Sequence, residues 1–126
     1  MVTTRPSLPA DGTVFQHPAS AVADATTDDL HCYIVSTELI ASKDSLRQTA
    51  GLMGAFYFSG KLDGRTPELD LENRVMAELP KLTGDTLRAE QMRCGAELKT
   101  RGQAAAAMGK DMQQRGAKML EEDNSH

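Results

Sequence analysis

The sequence contains no tryptophan and few aromatic residues of any kind. Aromatic residues make up 4% of the 126 residues, whereas hydrophobic residues make up 40%. A core built from Leu, Met, Ala and Val suits helix packing better than a sheet, because strands favour β-branched and aromatic side chains. A chain of this length forms one domain. We predict an all-α fold, a compact bundle of about four helices with a long C-terminal helix and a flexible N-terminal arm.

An excess of positive charge and a long apolar run are also lacking. The formal net charge is −4 at pH 7, so the chain carries no electrostatic footprint for DNA or RNA. No segment approaches the roughly 20 apolar residues that cross a bilayer. We therefore expect neither nucleic-acid binding nor membrane insertion. The predicted partner is another protein or a second copy of the chain, as a homodimer.

The segment after Met1 shows no basic stretch followed by an apolar stretch, so no signal peptide is recognised there. The triplets at 21–23 and 23–25 have the small-x-small pattern that precedes a signal-peptidase cut, although linker alanines give the same pattern. We predict a periplasmic or secreted location, with the cytoplasm as the alternative.

The N-terminal part of the chain differs in composition from the rest. Residues 1–26 hold three of the five prolines and almost no apolar periodicity, which is typical of a flexible arm. The helical domain is predicted over 27–126. Its first helix starts at the potential N-cap side chains of 26–29 and ends near 41. A buried strand at 31–35 is the alternative.

The second helix is predicted from about 45 to 62, with Gly64 as a left-handed cap. Its middle is apolar on all sides, a pattern typical of a buried helix. Gly51 and Gly54 lower helix propensity, so we expect them to admit a neighbouring helix at close range.

A third helix is predicted to start with Thr66 as N-cap and Pro67 at the first helical position. Pro80 ends or bends this helix, because proline lacks the backbone N–H that a helix interior needs. The last and longest helix is predicted from about 85 to 121.

Within the last helix, glycine recurs every seven residues, and a larger residue follows each glycine three positions later. Each glycine costs roughly 1 kcal/mol of helix stability relative to alanine, so the repeat is expected where another helix approaches closely. Packing on the second helix is the first interpretation, and pairing between two chains is the alternative. The predicted helix-packing or partner surface consists of Gly95, Leu98, Gly102, Ala105, Gly109, Met112, Gly116 and Met119.

The chain has only two cysteines, Cys32 and Cys94, in the first and last predicted helices. A bridge between them would close a long loop and would restrict the unfolded chain by roughly 4 kcal/mol on the entropy model. Because both helices are expected to share one core, we predict a disulfide. Two buried free thiols, as in a cytosolic protein, are the alternative.

The histidines and cysteines lack the spacing of a catalytic or metal site. His17, His31 and His126 form no i, i+4 pair, the spacing with which a helix builds a metal site. On a helix His31 cannot face the adjacent Cys32, and we expect it to be solvated. No metal, no cofactor and no enzymatic activity are predicted.

The order of these features, over roughly residues 28–120, resembles that of a known protein family. The features are the helical Cys32, a buried helix containing GAFYFSG at 54–60, an acidic connection, Cys94, and a long charged C-terminal helix. This layout resembles small periplasmic proteins of the HdeA type and is similar in gross plan to Tai-type immunity proteins. The resemblance implies a disulfide between the two cysteines. The chain departs from the HdeA pattern in its wider cysteine spacing, its longer final helix and its glycine repeat.

Three classes of function follow from these observations. The first is a non-enzymatic periplasmic or secreted binding or stress protein, chaperone-like in that it presents an apolar surface when its packing or its dimer opens. The second is an immunity or adaptor protein that binds one protein partner through a fixed helical face. The third is a small enzyme.

Overall fold

The computed structural model describes residues 19–125, and this part of the chain is helical throughout apart from short connections. The helices are α1 (Ala19–Ile40), α2 (Ser45–Arg65), α3 (Leu71–Glu78) and α4 (Gly84–Asn124), with a 3-10 turn at Leu79–Lys81 between α3 and α4. The predicted fold class and the long C-terminal helix are confirmed. The segment 31–35 is helical, not a strand.

The closest helix packing in the molecule joins α1 to α2. A Cβ atom added at Gly51 would lie 2.7 Å from the backbone oxygen of Ser36, and one added at Gly54 would overlap the Ser36 hydroxyl. That hydroxyl donates to the carbonyl oxygen of Cys32 at 2.7 Å, so its polar group is satisfied within α1. The expected close approach at the two glycines is confirmed, and the neighbouring helix is α1.

The core lies between α1, α2 and the first turns of α4, and the disulfide between Cys32 and Cys94 is at its centre. The two Cα atoms are 5.3 Å apart, and both cysteines are buried against Phe58. The predicted bridge is confirmed. The remaining buried apolar side chains are Leu30, Ile34, Val35, Leu62 and Leu82.

The first helix begins earlier than predicted. Helix α1 starts at Ala19, so Thr26 and Asp29 lie inside it, where both are buried, and neither is its N-cap. Alanine is the strongest helix former, and the alanines at 19–25 extend the helix toward the N-terminus. Residues 19–26 of the predicted arm therefore belong to α1. The rest of that arm, residues 1–18, lies outside the described residues.

The predicted cap of α2 is also wrong. Gly64 lies within the helix, which ends at Arg65, and the N–H of Thr66 closes its last turn on Leu62. A left-handed glycine is instead found at Gly84, with φ of 54°, where α4 begins.

Helix α3 starts later than predicted. Its N-cap is Asp70, whose side chain accepts a hydrogen bond from the backbone N–H of Asn73, so Thr66 is not the N-cap of this helix. An aspartate whose carboxylate reaches the N–H three positions later outcompetes the Thr-Pro start as a cap. The predicted end is confirmed, since α3 gives way at Pro80 to the 3-10 turn.

Only one side of α2 is buried, although its middle was expected to be buried on all sides. The residues that face the core, Gly51, Gly54, Phe58 and Leu62, are spaced as one helical face. Leu52, Met53 and Phe56 are exposed on the other side, Phe56 by 75%. The short chain provides no further helix among the described residues to cover that side.

Candidate binding surface

Beyond its first turns, α4 extends away from the rest of the bundle. Every residue from 99 to 115 and from 117 to 125 is exposed. Residues 100–124, called here the projecting half of α4, are about 36 Å long at the rise of an α-helix. They form a surface that the rest of the described chain leaves free.

The glycine repeat of α4 does not pack closely against the described part of the chain. A Cβ atom added at Gly95, Gly102, Gly109 or Gly116 meets no atom within 4 Å. The first interpretation of the repeat, packing on α2, is therefore wrong within a single chain, because α1 already occupies the glycine surface of α2. Leu98 reaches that surface, with Cδ2 3.6 Å from a Cβ added at Gly54. The alternative, pairing between two chains, stays a prediction.

An open apolar groove lies where α4 leaves α1 and α2. It encloses about 640 Å³, and Arg47 and Lys99 add cationic groups to a mainly apolar lining. The apolar lining includes Val35 and Leu39 of α1, Met53 and Phe58 of α2, and Leu98 of α4. Three residues of the predicted surface, Gly95, Leu98 and Gly102, line this groove. The other five, Ala105, Gly109, Met112, Gly116 and Met119, lie along the projecting half.

The exposed apolar surface is rich in methionine. Each methionine of the described chain has more than half of its surface exposed, from 56% for Met53 to 77% for Met92. The others are Met76, Met108, Met112 and Met119. Methionine is unbranched, flexible and polarizable, so a surface built from it adapts to ligands of different shape.

A histidine between two glutamates joins three helices beside the core. Nδ1 of His31 lies 2.7 Å from Oε2 of Glu90, and Nε2 lies 2.7 Å from Oε1 of Glu78. These three residues, called here the His31 cluster, come from α1, α4 and α3. The expectation that His31 is solvated is wrong, since its side chain is only 13% exposed. Both nitrogens can donate to ionised carboxylates only when the imidazole carries two protons.

The two glutamates of the His31 cluster titrate below the ordinary range. The hydrogen bond from His31 and then that from Lys81 lower the pKa of Glu78. Hydrogen bonds from Arg93 and from His31 lower the pKa of Glu90, although its burial acts in the opposite direction. The ionised forms of both carboxylates are therefore stabilised in the folded protein.

A second ionic group, the Asp29 cluster, lies on the other side of α1. Asp29 is buried and pairs with Arg65 and with Lys61, whose Nζ is 3.0 Å away. Lys61 also donates to Glu97 at 2.6 Å. Burial acts to lower the pKa of Lys61, but hydrogen bonds to Glu97 and Asp29 outweigh it and raise that pKa. The cluster connects α1, α2 and α4.

Tyr57 extends the Asp29 cluster, because its hydroxyl donates to Glu97 at 2.9 Å. Burial and that hydrogen bond raise the pKa of Tyr57. The two clusters hold the four helices around the disulfide. Within each cluster the charged groups pair with one another.

Neither cluster was found from the sequence. Their members are tens of positions apart and come from different helices, so no local spacing indicates them. The one available signal was His31 itself, a titratable residue within a helix that is apolar on most sides. Over residues 19–125, no group of three His, Cys, Asp or Glu side chains is arranged so that it could hold a metal ion. The same part of the chain has no helix long and apolar enough to cross a membrane.

The comparisons with known proteins add no relative. The sequence matches no family model, no curated protein and no solved structure.

Proposed function

We propose that this protein is a non-enzymatic, chaperone-like binding protein that takes up apolar segments of other proteins. The observation that carries this proposal is the set of exposed methionines on α2, α3 and α4, of which Met53 lines the apolar groove at the first turns of α4. Apolar grooves and patches at a protein surface mark binding sites. Methionine-rich surfaces serve promiscuous binders because they repack around different partners.

An oxidising compartment, the periplasm or the cell exterior, is the proposed location. The disulfide between Cys32 and Cys94 supports it, because structural disulfides persist outside the reducing cytoplasm. The two ionic clusters and the disulfide keep the core closed, while the methionine surface lies outside them. Binding at that surface therefore does not require the core to open.

The proposal is tested by the suppression of aggregation. Two unrelated client proteins are diluted from guanidinium without reductant, and light scattering is followed with and without this protein. We expect both clients to be protected, and the triple variant M53Q/M108Q/M112Q to protect less, because glutamine keeps the length of methionine but not its apolar character. The control variant T100Q/A107Q adds glutamines on the opposite side of α4, at two exposed positions, and is expected to protect as well as the natural sequence.

The same assay distinguishes the chaperone-like function from the second candidate function, that of an immunity or adaptor protein. One observation favours it: the projecting half continues α4 as one uninterrupted helix with an exposed face, the form that a fixed recognition face takes. A binder of one partner protects neither unrelated client. If neither client is protected, the chaperone-like proposal is contradicted and the fixed-face function remains the candidate.

A further inference from the structure

We infer that a second copy of this chain covers the groove and the projecting half of α4 in the resting protein, with the two α4 helices antiparallel. The inference rests on the proposed function, since it names the resting partner of the same surface. A dimer that opens would expose the methionines to clients, whereas a closed one would protect them.

The projecting half is poorly suited to stand alone in water. Most helical stability in proteins comes from the packing of one face, but residues 100–124 pack against no other described element, and they contain Gly102, Gly109 and Gly116. It ends in Glu121, Glu122 and Asp123 with no basic residue in the last turn. Acidic side chains at a helix C-terminus oppose the helix dipole, so a partner that brings cations to this end stabilises the helix.

The other end of the same segment carries those cations. Lys99 and Arg101 are exposed, and neither forms an ion pair within the described part of the chain. An antiparallel second copy places its acidic end beside Lys99 and Arg101, and the symmetry creates the contact twice. A parallel copy would instead bring the acidic ends together, where like charges repel. The charge pattern therefore favours a second copy of the chain as the partner and an antiparallel orientation of the two α4 helices.

One register satisfies the charges and the glycine repeat together. With the two-fold axis between Lys110 and Asp111, each glycine from 102 to 116 faces a larger residue of the other copy, which allows the two helices to approach closely. In the same register Arg101 of one copy and Glu122 of the other lie on the same side of the contact between the two α4 helices. The opposed residues are Gly102 with Met119, Ala105 with Gly116, and Gly109 with Met112.

The register also brings the end of each α4 to the groove of the other copy. Met119 faces Gly102, which lines the groove. Leu120, with 66% of its surface exposed in the single chain, lies on the same flank as Lys99 of the groove. The second copy thereby covers apolar residues of both the groove and the helix end.

Charge reversal tests the pairing on the full-length protein by sedimentation equilibrium. We expect a dimer for the natural sequence. Arg101→Glu or Glu122→Arg alone is expected to raise the dimer Kd roughly tenfold, because each places like charges at two symmetric contacts. The double variant R101E/E122R restores the pair and is expected to return the Kd to that of the natural sequence. Circular dichroism of each variant checks that the bundle is folded.

A spin label on Thr100→Cys measures the orientation. In the antiparallel dimer the two labelled positions are roughly 30 Å apart along the helix axis, whereas a parallel dimer places them side by side. A monomer at all concentrations, a short distance, or a double variant that remains weak would overturn the inference. A monomer that still protects clients overturns the dimer alone, and a dimer that protects none overturns the proposed function alone.

Discussion

At the scale of single residues, His31 shows how three helices depend on one side chain. Its two nitrogens contact glutamates from α3 and α4, and Glu78 is the one buried residue of α3. Removing one partner leaves the others buried without a counterpart, which costs more than the net value of the bond. The His31 cluster therefore links the position of α3 to the ionisation of its carboxylates.

We expect Glu78→Gln to lower the free energy of unfolding at neutral pH by about 1 to 3 kcal/mol, because the partners of a buried carboxylate lose a charge-assisted hydrogen bond. The pH dependence is expected to change as well. The folded pKa of Glu78 lies below the ordinary value of 4.5, so its contribution is present above that value and is lost as the pH falls through the folded pKa. Thermal melts from neutral to acidic pH measure both effects.

The exposed Glu68→Gln is the control for this series. We expect it to leave both the neutral stability and the acid dependence unchanged. If the natural protein and the Glu78 variant lose stability in parallel as the pH falls, the carboxylate of Glu78 does not contribute to acid sensitivity.

Two glycines of α2 provide a matched pair, because α1 packs against one of them and no atom lies close to the other. A Cβ at Gly51 would lie 2.8 Å from the backbone nitrogen of Ile40, whereas one at Gly60 meets nothing within 4 Å. We expect Gly51→Ala to destabilise by about 1 to 3 kcal/mol through overpacking. Gly60→Ala is expected to stabilise by up to about 1 kcal/mol through helix propensity. Urea denaturation compares them, and changes of the same sign would contradict the close approach of α1.

At the scale of elements, the disulfide joins α1 to α4 across a separation of 62 positions. Closing a loop of that length restricts the unfolded chain by roughly 4 kcal/mol on the entropy model. We expect thiol titration of the unfolded protein without reductant to find no free thiol, and reduction to lower the melting temperature. The variant C32A/C94A, melted with and without reductant, is the control, since reductant should not affect it.

Sequence patterns predicted the elements better than their ends or their partners. The long α4, the helical fold, the disulfide and the tight glycines of α2 were predictable, because each depends on local propensity or on burial of one face. The start of α1 was missed because its alanines continue the helix without a cap signal. The His31 and Asp29 clusters were missed because their members are brought together only by tertiary packing. The single-chain packing of the glycine repeat was wrong because a repeat indicates close contact without identifying the partner.

At the scale of the whole molecule, the chain combines a closed core with an open surface. The disulfide and the two ionic clusters hold α1, α2, α3 and the first turns of α4. The projecting half of α4 has none of these supports, so its stability depends on what binds it. A substitution there is expected to act differently in the monomer and in the dimer.

Gly109→Leu tests that difference directly. In dilute monomer, leucine replaces glycine in an exposed helix, and we expect helical content to rise because helix propensity improves by roughly 1 kcal/mol. At concentrations where the dimer forms, the same side chain is forced between the two α4 helices opposite Met112. Overpacking of about 1 to 3 kcal/mol is expected to raise the Kd by tenfold or more.

Gln114→Leu, on the opposite side of α4, is expected to leave the Kd unchanged. Because dimer stability follows mass action, circular dichroism melts over a range of protein concentrations separate the two effects. If Gly109→Leu has the same effect at every concentration, the glycine repeat is not an interface, and the projecting half of α4 remains a surface for other partners.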